Sequence, residues 1–250
     1  MTTVVSLRAV RVTLGVNVAL DGIDLDIRSG ERVALVGPSG AGKTTLLGVC
    51  NATIRPTSGT VRVLDLDLDL AQLNARDVRS VRRRIGTVHQ QLHLIGPLRV
   101  IHNVNAGHLG TWTRGRALRS LMRPVQVAQA TDALASLGMA GKIDERTDRL
   151  SGGEQQRVAL ARVLVQDPEL ILADEPVASL DPARAEEVMD LLCDVVAGRA
   201  RTLVVSLHDF ELARRRCDRL IGLRAGRVVF DEPAAEVTDA MGASLYRIAP

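Results

Sequence analysis

The sequence of 250 residues is poor in lysine, aromatic residues and cysteine. Its two lysines, Lys43 and Lys142, stand among 32 basic side chains, so a lysine with a chemical role is easy to notice. The three cysteines, Cys50, Cys193 and Cys217, form no C-x-x-C pair. An odd number of unpaired cysteines is typical of buried, reduced thiols, rather than of a reactive or metal-binding cysteine.

A long hydrophobic run and a strong charge of one sign are also missing. No uncharged apolar stretch approaches the roughly 20 residues that a membrane span needs. Residues 1–10 have no basic start and are interrupted by Arg8, unlike a signal peptide. The formal net charge is only +3, so nucleic acid is not expected as a partner. We therefore expect any membrane role to be exercised through a partner protein.

Hydrophobic patterns in the first part of the chain predict strands. Residues 3–12 and 20–27 alternate between apolar and polar side chains, as antiparallel strands do. Residues 32–36 form an apolar run that is typical of a buried strand. Two arginine runs, 82–84 and 214–216, are interpreted as solvated helix faces rather than as a binding patch.

The second part of the chain predicts alternating helices and strands. A helical pattern from about Pro97 to Leu150 indicates an inserted α-helical subdomain, which we place, together with the helix that follows, at residues 95–164. Beyond it, helix and strand patterns alternate, which favours βαβ units and a largely parallel sheet. The predicted class is α/β: a mixed, largely parallel sheet with flanking helices, antiparallel β elements and the inserted helical subdomain.

One glycine-rich segment carries a phosphate-binding pattern directly after the buried strand. It fits G-x-x-x-x-G-K-[ST] and precedes an apolar helix that we expect to start near Thr45. Its glycines let backbone N–H groups curl around phosphate oxygens, and the following helix presents its positive end. We expect Lys43 to reach the β- and γ-phosphates and Thr44 to ligate Mg²⁺. The predicted nucleotide-binding residues are Gly37, Pro38, Ser39, Gly40, Ala41, Gly42, Lys43, Thr44 and Thr45.

Two adjacent carboxylates follow the apolar strand at residues 170–173. The end of a parallel strand brings Asp174 and Glu175 to the sheet edge at which the phosphate-binding loop also ends. We expect Asp174 to hold the Mg²⁺ and Glu175 to act as the general base toward the attacking water. A strand that ends in Asp-Glu is an ordinary solvent cap in isolation, so this prediction depends on the neighbouring loop.

Leu150 to Arg157, with the sequence L-S-G-G-E-Q-Q-R, opens an apolar helix and forms a second anion site. One domain has one triphosphate to bind, which makes a second phosphate cradle unnecessary within a single chain. We therefore predict that Ser151, Gly152 and Gly153 cover the nucleotide held by another copy, in a two-fold related homodimer.

The segment from Leu150 to Gln155 resembles the signature motif of the ABC ATPases, and the other markers of that family follow in order. Gln90 resembles the Q-loop glutamine, Asp181 ends a segment like the D-loop at 178–181, and His208 resembles the switch histidine. The resemblance implies a P-loop NTPase core. It also implies that Gln90 contacts Mg²⁺ or the attacking water, and that His208 holds the γ-phosphate.

The resemblance extends from about Val4 to Phe230 and implies a single ABC ATPase domain over residues 1–250. Within it, 1–94 and 165–250 would form the nucleotide-binding core, and 95–164 the helical subdomain with the signature motif. Two positions depart from the family pattern. Leu14 stands where an aromatic residue usually stacks on adenine, which predicts weak discrimination of ATP from GTP, and His89 stands where an aromatic residue usually precedes Gln90.

Within the family, three segments look like the phosphonate-importer ATPases: residues 89–96, 103–112 and 173–181. This resemblance implies a detachable ATPase subunit on the cytoplasmic face of the inner membrane, peripherally bound to an integral membrane permease. A solute-binding protein would be an indirect partner, and ATP and Mg²⁺ the cofactors. No residue here would touch the solute, so the phosphonate assignment is associative.

Two alternatives stay open from the sequence. The chain could serve a transporter of another solute, such as phosphite, an amino acid, or an exported lipid or lipoprotein. A soluble ABC protein of translation or DNA maintenance is the second alternative. Such proteins usually carry two cassettes, long coiled coils or zinc insertions, whereas this chain has one signature, no sustained heptads and no cysteine pairs.

Overall fold

A computed structural model of the chain describes residues 2–67, 75–178, 180–197 and 201–246. The strands in these ranges are β1 Thr3–Leu14, β2 Asn17–Arg28, β3 Arg32–Val36, β4 Ser58–Val63, β5 Leu66–Asp67, β6 Ile85–His89, β7 Leu170–Asp174, β8 Thr202–Leu207, β9 Arg219–Arg224 and β10 Arg227–Pro233. The α-helices are α1 Lys43–Cys50, α2 Ala75–Arg84, α3 Val100–Asn105, α4 Arg114–Met122, α5 Val127–Ser136, α6 Gly152–Gln166, α7 Pro182–Ala197, α8 Phe210–Arg216 and α9 Asp239–Tyr246.

Two sheets organise the chain. The larger has the order β10-β9-β3-β8-β7-β6, and its strands are parallel except where β10 pairs with β9. The smaller is antiparallel, in the order β2-β1-β4-β5. The α/β class predicted from the sequence, with a largely parallel sheet and antiparallel elements, is therefore confirmed.

Strand β3 shows why its sequence is continuously apolar. Val33 and Leu35 belong to one buried cluster, together with side chains of α1 and the antiparallel sheet. Ala34 and Val36 belong to the second cluster, together with side chains of α6, α7 and α8. Successive side chains of a strand point to opposite faces, so a sheet covered on both faces requires apolar residues at every position.

The helices α3 to α5 lie between β6 and α6, within the segment predicted as the helical subdomain. Asn103 of α3 joins this region internally: its Oδ1 accepts from the Ile95 N–H at 2.8 Å, and its Nδ2 donates to the Thr147 hydroxyl at 2.9 Å. Helix α6 is fully buried at Val158 and Ala161 and packs against both α3 and α5. The boundaries 95–164 remain a prediction.

Several smaller expectations can be compared directly. Cys50 and Cys217 are buried free thiols, and burial raises the pKa of each to about 12, whereas Cys193 is only half-buried. Helix α1 begins at Lys43, two residues earlier than expected, because the last turn of the loop already continues into the helix. No helix within the described ranges is long and apolar enough to cross a bilayer.

Candidate functional site

The predicted site residues follow the carboxyl ends of four neighbouring parallel strands. In the order β3-β8-β7-β6, these strands lead into the glycine-rich loop, His208, Glu175 and Gln90. Register aligns them, since Val36 pairs with Leu207 on the next strand. The topology thus brings segments from distant parts of the chain to one edge of the sheet, where open α/β sheets bind their ligands.

The phosphate-binding loop, Gly37–Thr44, is held in place by its own chain. A Cβ at Gly37 would lie 2.1 Å from the Leu223 carbonyl oxygen, so only glycine fits there. A Cβ at Gly42, whose φ is +106°, would lie 2.7 Å from the Ala19 carbonyl oxygen. The loop therefore packs tightly against β9 and β2, while Ser39 and Gly40 at its tip are exposed.

Lys43 is buried at the first position of α1. Its ammonium group donates to the Gly37 carbonyl at 2.7 Å and to the Pro38 carbonyl at 3.2 Å. Desolvation lowers the pKa of Lys43, and the nearby carboxylates of Glu175 and Asp174 oppose that shift. The loop thus already surrounds a positive charge that faces the two carboxylates.

The hydroxyl of Thr44 and the carboxylate of Asp174 are joined directly. The Thr44 hydroxyl donates to Asp174 Oδ1 at 3.1 Å, and the Ser206 hydroxyl donates to the same oxygen at 2.8 Å. A hydroxyl and a carboxylate beside a phosphate-binding loop form the oxygen donor set that Mg²⁺ prefers. These residues therefore fit the predicted metal.

Glu175 and His208 are in contact, although they are 33 residues apart in sequence. His208 Nε2 lies 2.6 Å from Glu175 Oε1. Glu175 has a φ of +49°, a left-handed conformation that is unusual for a residue other than glycine. Its N–H donates to the Ser206 hydroxyl at 2.8 Å, which stabilises this conformation.

Gln90 lies at the same sheet edge but takes no part in these contacts. It follows β6, is exposed, and its side chain makes no hydrogen bond with any residue that the structure describes. The preceding His89 packs edge-on against His93, with ring centroids 5.1 Å apart. In the described part of the chain, no cluster of three or more histidine, cysteine, aspartate or glutamate side chains offers a further metal site.

The signature turn, defined here as residues 150–155, begins α6. Ser151 and Glu154 form a capping box: the Ser151 hydroxyl accepts from the Glu154 N–H at 3.3 Å, and Glu154 Oε2 accepts from the Ser151 N–H at 2.8 Å. A Cβ at Gly152 or Gly153 would meet no atom within 4 Å. The turn is thus satisfied locally and opens onto free space.

Asp181 and Leu14, two further predicted residues, lie on exposed elements. Asp181 Oδ1 accepts from the Arg184 N–H at 3.1 Å at the start of α7. The Ser179 position of the predicted D-loop lies outside the described residues. Leu14 ends β1 and is 50% exposed. It is on the hairpin that continues into Ala19, which packs against the phosphate-binding loop.

Sequence reasoning missed two residues at this edge. Ser206 connects Asp174 with the backbone of Glu175, and its signal was a serine among the otherwise apolar residues 203–207 of strand β8. Tyr246 of α9 donates from its hydroxyl to the His208 carbonyl at 3.1 Å. Burial raises the pKa of Tyr246, and the Gly37 backbone partly opposes this. Its signal was only that it is the one tyrosine in the sequence.

Comparison with known proteins agrees with this geometry. The profile described as ABC transporter matches residues 20–178. The phosphonates import ATP-binding protein PhnC of Anaeromyxobacter dehalogenans is 52% identical over 88% of this chain, which spans 43% of that protein's length. The protein named PhnC 1 of Pseudomonas syringae pv. tomato is 47% identical, over 88% of this chain and 82% of that protein.

Two solved structures, one part of an ABC transporter complex and one an ATP-binding cassette, have the same fold as this chain. The structure of cbiO1 from Clostridium perfringens, part of the ABC transporter complex cbiONQ, aligns with a TM-score of 0.82 and 27% identity, covering 98% of this chain and 94% of the other. A dimeric post-hydrolysis state of the ATP-binding cassette MJ0796, bound to ADP and Pi, aligns with a TM-score of 0.74 and 31% identity. That alignment covers 92% of this chain and 98% of the other.

Proposed function

The chain belongs to the ABC transporter family, as one of its ATP-binding proteins, and from that premise we propose that it hydrolyses ATP to drive a phosphonate importer. The observation that carries the proposal is the convergence of Lys43, Asp174, Glu175 and His208 at neighbouring strand ends. A buried cation, a hydroxyl-carboxylate pair and a carboxylate-imidazole pair are the groups that hydrolysis of a triphosphate requires.

In this proposal the phosphate-binding loop grips the triphosphate of ATP. Backbone N–H groups of the loop and the N-terminus of α1 surround the phosphates, and the Lys43 ammonium leaves the Gly37 carbonyl to bind the β- and γ-phosphates. Thr44, Asp174 and Gln90 would hold Mg²⁺. When bound, this ion would neutralise the charge that develops on the phosphate oxygens.

Glu175 would act on the attacking water. Its carboxylate would accept the proton that the water loses as the water oxygen attacks the γ-phosphorus. The bond from that phosphorus to the β,γ-bridging oxygen breaks, ADP leaves with the bridging oxygen, and His208 would bind the γ-phosphate oxygens. The contact between Glu175 Oε1 and His208 Nε2 supports a cooperative role, since the imidazole fixes the direction of the carboxylate. Ser206 would be a positioning residue, because it holds the backbone of Glu175 and the carboxylate of Asp174.

We further infer that each nucleotide lies between two copies of the chain. The exposed surface at Gly152 and Gly153 supports this, because a Cβ at either glycine would meet no atom of the described residues within 4 Å. The structure of MJ0796 bound to ADP and Pi is dimeric. Ser151, Gly152 and Gly153 of one copy would cover the γ-phosphate held by the other, with Asp181 beside the dimer contact.

The permease would bind in a groove between the sheet edge and the helical region. Two adjoining cavities, of about 660 and 530 Å³, form this groove and share part of their lining. His89, one residue before Gln90, lines the second cavity, so occupation of the groove would be felt at the nucleotide site. The shared lining residues are Thr53, Arg82, Ala106, Gly107 and Gln166.

Transport of a phosphonate is proposed because the two similar PhnC proteins are phosphonates import ATP-binding proteins. A solute-binding protein would deliver the phosphonate to the permease, and the chain would act at the cytoplasmic face of the inner membrane. Leu14 would lie against the base of the nucleotide. An aliphatic side chain there lacks the aromatic stacking worth about 1–3 kcal/mol, so ATP and GTP would bind with similar affinity.

Complementation between two inactive variants tests the composite site. Lys43→Ala removes the cation of the loop, and Ser151→Arg blocks the signature turn, so each variant alone should lose ATP hydrolysis. In a mixed dimer both defects fall in one site, and the other site combines an intact loop with an intact signature turn. Mixing equal amounts should therefore restore hydrolysis, measured as phosphate release.

Two controls accompany this experiment. Mixing Lys43→Ala with Asp174→Ala, a second defect on the loop side of the site, should restore nothing, because each site of that mixed dimer carries one defect. Both variants should elute like the unmodified protein in gel filtration without nucleotide. If Ser151→Arg alone hydrolyses ATP normally, or if mixing restores no activity, the nucleotide is handled within one chain and the proposal is wrong.

A further inference from the structure

Positive charge is concentrated in one segment of the chain. Residues 78–131 contain nine arginines and no lysine, aspartate or glutamate, a formal charge of +9 in a chain whose net charge is +3. The remaining residues therefore carry a net charge of −6. This segment includes Ala106, Gly107, Gly110 and Thr111, which line the groove, and the whole of α4. Arg55, Arg79, Arg82 and Arg83 line the first cavity of the groove, and no aspartate or glutamate is among the residues that line it, so positive charge is concentrated at the groove.

The arginines of α4 and its end have no carboxylate partner in the described part of the chain, although the Arg116 guanidinium lies over the Trp112 ring, 5.2 Å from its centroid. Arg114, Arg116, Arg119 and Arg123 are exposed, and none of them forms an ion pair with any residue that the structure describes. The arginines of α8 behave differently: all three, at 214–216, bind carboxylates of neighbouring elements. Four exposed arginines on one short segment, neutralised by no carboxylate of the described residues, favour an anionic partner outside the chain.

The same helix exposes large apolar side chains. Leu118 is 65% exposed, Leu121 is 54% exposed and Met122 is 80% exposed. Their spacing, i, i+3 and i+4, places them on one face of α4. Ser120, which is buried, marks the opposite face, against the body of the protein. Arg119 follows Leu118 at the flank of this face, and Arg123 follows Met122 directly after the end of the helix, so their long side chains can reach the same surface.

The N-terminus of helix α4 is held in place by a capping residue and by contacts of the preceding tryptophan. Thr113 caps it by accepting a hydrogen bond from the Arg116 N–H at 3.3 Å. The indole of Trp112 donates to Gln126 Oε1 at 2.9 Å and stacks on the buried ring of His108, with centroids 5.4 Å apart. These contacts hold the N-terminus of α4 against the segment that lines the groove.

We propose that α4 rests on the surface of the membrane and binds anionic phospholipid headgroups beside the permease. An apolar face flanked by arginines, with no acidic side chain in the helix, is the pattern of a helix that lies in a bilayer interface. The location beside the permease rests on the proposed function, because the groove ends at Thr111 and α4 begins three residues later. Charge complementarity to the headgroups supports lipid, whereas a protein loop would be the competing occupant.

Vesicle binding by the full-length protein without permease tests this proposal. The protein should sediment with vesicles of phosphatidylcholine and phosphatidylglycerol in equal parts, and not with phosphatidylcholine alone. Binding should weaken as salt is added, because exposed charges are screened. The double variant Arg119→Gln/Arg123→Gln should bind these vesicles about twentyfold more weakly, since each arginine near an anionic surface contributes about fivefold.

Matched variants separate this surface from general charge and hydrophobicity. Arg28→Gln/Arg62→Gln removes the same charge from the antiparallel sheet and should change vesicle binding by less than about twofold. Leu118→Ser/Leu121→Ser should weaken binding at least about tenfold, whereas Val229→Ser, at a residue 50% exposed on β10, should not. A circular dichroism spectrum and a rate of ATP hydrolysis in solution that both match those of the unmodified protein would show that each variant is folded.

The outcomes are distinct from those of the proposed function. Glu175→Gln should lose turnover and still bind anionic vesicles. If the protein ignores phosphatidylglycerol, or if the control variant Arg28→Gln/Arg62→Gln weakens binding as much as the variant on α4, the proposal is wrong. It is also wrong if α4 variants impair only assembly with the permease in neutral detergent, because the helix would then bind protein instead of lipid.

Discussion

The phosphate-binding loop and the signature turn are both glycine-rich helix starts, but they differ in what surrounds their glycines. Side chains at Gly37 and Gly42 would strike the carbonyl oxygens of Leu223 and Ala19. A Cβ at Gly152 or Gly153 would meet no atom of the described residues within 4 Å. Glycine is therefore required in the first region by the chain's own packing. In the second region the chain itself gives no reason for it.

Their polar groups differ in the same way. Lys43 is buried and bound to carbonyls of its own loop, in the field of two carboxylates from β7 and its end. Ser151 is exposed, and its hydrogen bonds stay within the signature turn. The comparison teaches that one phosphate cradle is completed by the chain that carries it. The other is an exposed surface whose hydrogen bonds are satisfied within the turn, as the proposed contact with a second copy requires.

The largest expected effect separates holding the nucleotide from cleaving it. Glu175→Gln removes the proposed base and leaves the phosphate-binding loop intact. Turnover should fall by about 10²–10⁴-fold, the usual contribution of a general base, while MgATP still binds and the variant accumulates as a nucleotide-bound dimer. Phosphate release, nucleotide titration and gel filtration with ATP measure the three quantities.

The control for this variant is Glu236→Gln, an exposed carboxylate near the C-terminal helix. It removes the same charge and should leave turnover unchanged. Hydrolysis by Glu175→Gln within about twofold of the unmodified protein would show that another group accepts the proton. The dimer would then have to be explained without trapping of the uncleaved nucleotide.

The next effect compares the two regions directly through stability. Gly37→Ala should lower the free energy of unfolding by about 2–4 kcal/mol, because its Cβ meets a backbone oxygen at a position with positive φ. Gly152→Ala should change it by less than about 0.5 kcal/mol and yet reduce hydrolysis, because in the proposed dimer the added methyl group would face the nucleotide of the other copy. Denaturant unfolding and phosphate release measure both.

Two results would contradict this difference between the phosphate-binding loop and the signature turn. If Gly37→Ala unfolds like the unmodified protein, the loop adapts to side chains and its glycines are not fixed by packing. If Gly152→Ala leaves hydrolysis unchanged at every protein concentration, the signature turn does not approach a nucleotide. The first result concerns only the packing of the phosphate-binding loop, and the second concerns only the role of the signature turn in hydrolysis.

The elements of the sheet could be predicted because local pattern and topology agree. The apolar run at 32–36 became β3, and the run at 170–173 became β7, extended by one residue to Asp174. Both runs are buried on two faces, so every residue of each carries the signal. The motifs that follow them then identified the sheet edge, since parallel strands end on the same side.

The contacts across that edge could not be predicted, because they depend on strand order. Glu175 meets His208 only because β7 and β8 are neighbours in the sheet. The left-handed backbone of Glu175 and its support by Ser206 have no local pattern, since a serine in an apolar strand indicates a partner without naming it. The contact of Tyr246 with the His208 carbonyl likewise depends on how α9 folds back.

The smallest expected effect is on stability, and it tests whether the signature turn is independent of the phosphate-binding loop of the same chain. Glu154 accepts hydrogen bonds from the N–H and hydroxyl of Ser151, and these, with Lys142 nearby, lower its pKa below the ordinary 4.5. A carboxyl whose pKa is lower in the folded state stabilises the fold above pH 4.5. That stabilisation is lost as the pH falls through the lowered pKa.

Glu154→Ala should therefore destabilise the protein by about 0.5 kcal/mol near neutral pH, a modest value because the carboxylate is partly solvated. The difference should shrink in acid, and Glu154→Gln, which keeps an acceptor oxygen, should lose less. Urea unfolding at several pH values measures this, and a titration should show that nucleotide affinity of the monomer is unchanged. A loss of several kcal/mol in the free energy of unfolding, or a lower nucleotide affinity of the monomer, would contradict this prediction. Either result would mean that the signature turn supports the phosphate-binding loop within the same chain, so that the two regions are not independent.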